Sequence, residues 1–192
     1  MLKGSMGGMT LRLTTKFKNR LQQPGLIMAP GVVDAMNARL VAEAGFEAIY
    51  MTGAGTTAAR LGMPDVGLLS VVEMADNAGR IADASGLPLI SDADTGYGSP
   101  VNVFRTVSLF EKAGVAGIHI EDQNWPKRCG HLAGKTLIPA DEMAAKINAA
   151  CDARKDSDFT IIARTDALAL HGLNAALDRA KLYEEAGADV IF

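Results

Sequence analysis

Cysteine is scarce in this chain. There are two in 192 residues, Cys129 in a charged stretch and Cys151 in a predicted helix. Two such positions make no disulfide framework, so both read as thiols outside any disulfide, in a reducing, cytoplasmic compartment. A basic excess is also missing. The net charge is −3, which offers no positive field to nucleic acid. No apolar run approaches the roughly 20 residues needed to cross a membrane, so no membrane partner is expected. No secretory leader is evident, because the first nine residues are rich in Gly and Met and lack an apolar core. Residues 1–10 are set aside as a disordered tail or an appended remnant. Aromatics make up only 5% of the chain, so a core must be built from aliphatic side chains. With 48% hydrophobic and 21% charged residues, the composition is that of an ordinary globular domain.

What the chain has is alternation. Helices are expected over 11–23, 34–44, 70–85, 101–113, 140–153 and 173–186. Short apolar strands are expected over 25–30, 46–51, 86–90, 116–120, 159–163 and 189–192. Ser70 with Glu73 three residues on spells a capping box. Residues 52–57 read as a glycine-rich loop, and 123–138 as a long one. Strand and helix at this spacing fit a (β/α)8 barrel or a doubly wound open sheet. Polar residues collect after four successive strands, and only a barrel brings all such ends to one mouth. Phe192 falls inside an apolar run, and such barrels typically hold about 250 residues. The expectation is a partial (β/α)8 TIM-type barrel of about six strands over residues 11–192.

The chemistry centres on Ser91-Asp92-Ala93-Asp94-Thr95-Gly96-Tyr97-Gly98. On an extended chain Asp92 and Asp94 share a face, and paired carboxylates suit a hard cation such as Mg²⁺ or Mn²⁺. The plain alternative is that the pair caps the next helix. Glu121 and Asp122 end the fourth strand; Glu121 is a further candidate for the metal, whereas Asp122 reads better as a cap. Lys127-Arg128-Cys129-Gly130-His131 sets a thiol among cations, which favours the reactive thiolate. Its plain alternative is an exposed basic loop with an incidental cysteine. Arg164 could clamp a carboxylate or form a structural ion pair with Asp166 or Glu121. Thr52, Gly53 and Ala54 offer a hydroxyl and N–H groups to an anion. Asp65 is an acid that could orient metal-bound water, or a turn residue. Tyr50 could reach the mouth, and His119 reads as an interior histidine.

These stretches, with Ile120-Glu121-Asp122-Gln123 and Tyr50-Met51-Thr52-Gly53-Ala54-Gly55, resemble the isocitrate lyase / phosphoenolpyruvate mutase superfamily from about residue 25 onward. The resemblance implies a Mg²⁺-dependent (β/α)8 barrel, assembled as a homotetramer by exchange of a C-terminal helix. It implies metal binding by Asp94, with Asp92 and Glu121 acting directly or through water. Tyr50 would handle a hydroxyl proton and Cys129 would protonate a carbanion, with Lys127 and His131 beside it. Thr52, Gly53, Ala54, Asp65, Arg128, Gly130 and Arg164 would hold a small carboxylic-acid substrate. A cysteine in that loop marks the family's lyases, so the expected activity is carbon–carbon cleavage of a 2-hydroxy acid resembling 2-methylisocitrate or dimethylmalate. The alternatives are an oxaloacetate hydrolase or decarboxylase, a carboxyphosphonoenolpyruvate phosphonomutase-like enzyme, or a non-catalytic oligomeric barrel. One departure stands out. Leu132-Ala133-Gly134-Lys135 replaces the Arg-Pro-Asn-Lys common in methylisocitrate lyases, and Leu132 cannot hydrogen-bond that substrate's extra carboxylate.

Overall fold

The computed structural model describes residues 11–130 and 132–192, so the expectations for residues 1–10 and for His131 lie outside the described residues. Six parallel strands form one sheet in sequence order: β1 (Gly31–Val32), β2 (Ile49–Met51), β3 (Leu89–Asp92), β4 (Gly117–Glu121), β5 (Thr160–Arg164) and β6 (Val190–Ile191). A doubly wound sheet would reverse its order part-way. Unbroken succession is the order of a barrel, here with six of the eight strands. The helices are α1 (Leu13–Leu21), α2 (Ala35–Glu43), α3 (Gly53–Leu61), α4 (Val71–Ser85), α5 (Pro100–Lys112), α6 (Ala140–Ala153) and α7 (Ala167–Glu185).

Strands buried on both faces account for the short apolar runs in the sequence. Every residue of β4 is buried. Ile118 and Ile120 join the main core with Val103, Val107 and Phe110 of α5 and Met143 and Ile147 of α6. The intervening His119 and Glu121 face the barrel interior. The capping box forms as expected, with Ser70 N–H donating to Glu73 Oε2 at 2.8 Å and Glu73 N–H to Ser70 Oγ at 3.3 Å.

Three expectations need correction. The stretch 25–30 is not a paired strand. Leu26 and Met28 are exposed, Pro30 has no N–H to give, and pairing begins only at Gly31. Residues 52–57 are not a loop. Thr52 caps α3 by accepting from Gly55 N–H at 3.2 Å, and the glycines occupy its first turn. The last helix starts six residues early, at Ala167, and bends at Gly172, whose φ of 82° breaks the helical path.

Asp122 ties the last helix to the end of β4. Its carboxylate accepts from Thr165 Oγ1 at 2.7 Å, Asp166 N–H at 3.0 Å, Arg179 Nη1 at 2.9 Å and Tyr183 Oη at 2.8 Å. It is the structural residue that the sequence suggested. Asp122→Ala takes the shared acceptor from a part-buried guanidinium and a buried phenol, and should cost about 3–5 kcal/mol. Urea unfolding checks this, and a loss below about 1 kcal/mol would contradict the hub.

Candidate active site

Alternate residues on four neighbouring strands face one cavity of about 1030 Å³. Tyr50 and Thr52 come from the end of β2, Ile90 and Asp92 from β3, His119 and Glu121 from β4, and Ile162 and Arg164 from β5. In each pair the residue nearer the C-terminal end is polar, so the period of two delivers a polar rim above an interior floor. Register then makes neighbours: Asp92 lies beside His119, and Glu121 beside Arg164. Arg164 Nη1 sits 3.3 Å from Glu121 Oε2, and Nη2 sits 3.3 Å from Asp166 Oδ1. The ion pairs foreseen as an alternative both form, yet the guanidinium still borders the cavity.

The Asp pair is not placed as an extended chain would place it. β3 ends at Asp92, and Asp94 lies in a turn with φ 49°. Asp92 caps that turn through Asp94 N–H to Oδ1 at 2.8 Å, and caps α3 through Gly53 N–H to Oδ2 at 3.2 Å. A Cβ on Gly53 would strike the Asp92 carboxylate, so only glycine allows this approach. Gly53 and Asp94 therefore act on the cavity from behind its wall. Lys127 is not part of an exposed basic loop. It is 2% exposed, with Nζ 2.6 Å from Asp65 Oδ1 and 2.6 Å from Asp94 Oδ1.

Cys129 and Gly130 lie at the cavity wall with Arg128. A Cβ on Gly130 would collide with Arg164, so the loop is seated directly on that guanidinium. The loop is stapled from below. Gln123 Nε2 donates to Arg128 O at 2.9 Å and to Asp166 Oδ2 at 2.8 Å, and Lys135 Nζ reaches Gly130 O at 2.6 Å and Asp166 Oδ1 at 3.2 Å. Sequence reasoning gave no role to Gln123 or Lys135, although each sits inside a motif it singled out, and it saw Asp166 only as an ion-pair partner of Arg164.

His119 is also more than filler. Its Nε2 lies 2.6 Å from Tyr50 Oη and 3.6 Å from Asp92 Oδ1, and the two rings stack at 5.5 Å. Burial holds the imidazole below its usual value, so it is neutral at pH 7. Burial, with Asp92 beside it, pushes the Tyr50 phenol well up.

The residues fit a divalent cation. Asp65, Asp92, Asp94 and Glu121 outnumber Lys127 and Arg164, and buried Glu121 Oε1 has no hydrogen-bond partner. Burial, then the Asp92 charge, pushes Asp94 up to about 7. Burial pushes Glu121 up to about 8 against the pull of Arg164. Asp92 is held below the usual carboxylate range despite its burial, by His119, Lys127, the Asp94 N–H and Arg164. Among the described residues no three His, Cys, Asp or Glu side chains close on one point. Mg²⁺ keeps several waters and takes one or two protein carboxylates, so it does not require such a cluster.

The family model for phosphoenolpyruvate phosphomutase matches residues 17–192. The chain is 50% identical over 182 residues to 2,3-dimethylmalate lyase of Eubacterium barkeri, covering 95% of this chain and 63% of that protein. It superposes on oxaloacetate acetylhydrolase in complex with 3,3-difluorooxalacetate with a TM-score of 0.90 at 47% identity, over 93% of this chain and 62% of the other. It superposes on phosphonopyruvate hydrolase in complex with oxalate and Mg²⁺ with a TM-score of 0.85 at 35% identity, over 94% and 62%. The chain thus spans less than two thirds of these relatives.

Two outcomes follow from the buried charges. Lys127→Met keeps the aliphatic stem but strands two carboxylates, and should lower stability by about 3–5 kcal/mol in urea unfolding; a near-neutral change would mean that the carboxylates do not need it. Raised carboxyls make the folded chain bind more protons than the unfolded one, so Asp94 and Glu121 weaken the fold as pH rises from about 4 to about 8. His119 and Asp92, both held low, work the other way, Asp92 only near the acid end of that window. Without divalent metal the melting temperature should fall across that window, and Glu121→Gln should flatten the fall. A profile that rises instead would contradict the assignment.

Proposed function

The chain belongs to the phosphoenolpyruvate phosphomutase family, and on that basis we propose that it is a Mg²⁺-dependent carbon–carbon lyase. Its substrate is a small 2-hydroxy dicarboxylic acid of the dimethylmalate type. The observation that carries this reading is that Cys129 and Arg164 line the same cavity as Tyr50, Asp92 and Glu121. Asp92, Asp94 and Glu121 are the residues that would hold Mg²⁺ or Mn²⁺, in part through water. When bound, the cation supplies a Lewis acid for the substrate's carboxylate and neighbouring oxygen.

The chain's own groups divide the remaining work. Arg164 and the N–H groups at Ala54 and Gly130 hold carboxylates. Tyr50 Oη takes the proton of the substrate's 2-hydroxyl as it passes its own to neutral His119 Nε2, 2.6 Å away. Asp92 Oδ1, 3.6 Å from that ring, stabilises the imidazolium so formed. The oxygen's electron pair becomes a carbonyl, and the electrons of the broken C–C bond pass to the departing carbon. Cys129 Sγ delivers a proton to that carbon and becomes a thiolate. His131, next in the same loop, is assigned to this acid end by resemblance. Leu132 is exposed and apolar, which favours a dicarboxylic over a tricarboxylic acid.

A second reading is an oxaloacetate hydrolase, supported by the 47% identity to oxaloacetate acetylhydrolase. We also propose a cytoplasmic homotetramer. Exposed Leu168, Leu173 and Leu177 on α7 are consistent with association, and no helix among the described residues is long and apolar enough to cross a membrane.

Incubating the purified protein and Mg²⁺ with 2,3-dimethylmalate, 2-methylisocitrate and oxaloacetate tests the reading. Dimethylmalate should be consumed fastest. Cys129→Ser should slow turnover by about 10²- to 10⁴-fold with Mg²⁺ affinity retained. Near-normal turnover by that variant, or consumption of oxaloacetate alone, would move the assignment to the hydrolase.

A further inference from the structure

A second cavity of about 760 Å³ lies on the other side of the turn that carries Asp94. No residue lines both cavities. Its floor is Lys146, in the second turn of α6, a lysine only 4% exposed. Lys146 Nζ donates to Thr95 O at 3.1 Å. An ammonium has three donors, and this bond uses one. Among the described residues no carboxylate forms an ion pair with it, and Glu142, one turn earlier, acts only through space. A buried charge without a counter-charge is costly, by several kcal/mol in real interiors. Burial accordingly holds the amine below its usual value.

The walls are of the opposite character. Leu68, Leu69, Val71 and Ile138 line them, and Trp125 closes one side. The indole is 55% exposed and its inner face lies directly on the Gly67 backbone, where a Cβ would strike the ring. Ser70, Gln123, Asn124 and Glu142 also line the cavity. Its size falls within the range of small-molecule sites, and a buried cation beside an apolar wall specifies the ligand's chemistry.

We propose that this outer cavity binds a small organic anion with an apolar body, such as a medium-chain carboxylate. The carboxylate pairs with Lys146 and the body packs on Leu68, Val71 and Trp125. Nothing in this assignment depends on the metal or on the lyase reading.

Trp125 is the chain's single tryptophan, so its fluorescence reports on this cavity alone. Octanoate, titrated without metal or substrate, should change that fluorescence saturably, and 1-octanol at the same concentrations should not. Lys146→Gln should weaken octanoate binding by about tenfold or more, as loss of a charge-assisted hydrogen bond predicts, while Lys146→Arg should retain it. If Lys146→Gln does not fold, Glu142→Gln takes its place and should tighten binding severalfold by removing a like charge. An absent or unsaturable response to octanoate, equal binding of octanol, or unchanged affinity in the deciding variant would each overturn the proposal. Because every arm is read by binding in the metal-free protein, a failed lyase assay leaves this result standing.

Discussion

Lys127 is the charge around which the polar end of the barrel is arranged. Four carboxylates converge there, and each carboxylate taken from water costs several kcal/mol unless something nearby neutralises it. By reaching Asp65 and Asp94 together at 2.6 Å, one ammonium compensates two of them and joins the loop after α3 to the turn after β3. Arg164 does the same for Glu121 and Asp166. The cations then run out, and the uncompensated remainder appears as an orphaned Glu121 oxygen and two carboxyls that hold their protons unusually well. A site left short of positive charge by its own protein is one that a divalent ion can complete.

Much of this was legible in the sequence because a parallel barrel writes its inside and outside at a period of two. The alternating pairs at 50 and 52, 119 and 121, and 162 and 164 could be read as strand ends, and the carboxylates and arginine that finish them could be found by position alone. Asp94 could not be placed that way. Its distance from Asp92 matched the strand period, but the strand had already ended, and a φ of 49° supplied by the turn decides where its carboxylate goes. The glycines at 53 and 55 misled for a related reason. They were read as chain freedom, whereas Gly53 is there for closeness: a helix can start against a carboxylate only if nothing projects from its first residue.

The residues missed outright were those whose meaning lies in a distant partner. His119 among isoleucines has the pattern of an interior residue, and interior it is. Only the pairing of β4 with β3, and of β3 with β2, brings Tyr50 to one side of its Nε2 and Asp92 to the other. Likewise Gln123 and Lys135 acquire a function only when they meet Asp166, 43 and 31 positions away, under the cysteine loop.

The order of the sheet also sets a timetable. Because every strand pairs with the one made just before it, each βα unit emerging from the ribosome finds its docking surface already built, and most of the sheet can be laid down with short loop closures. The leading helix is the exception. Arg12 and Thr14 of its first turns seek Asp158 and Asp156, acceptors 146 and 142 residues further on. Its apolar face is covered earlier, where Phe17 packs on Ala48 and Ala116, so the two ends of one short helix are secured at different times, the polar N-terminal end only when the segment before the fifth strand arrives.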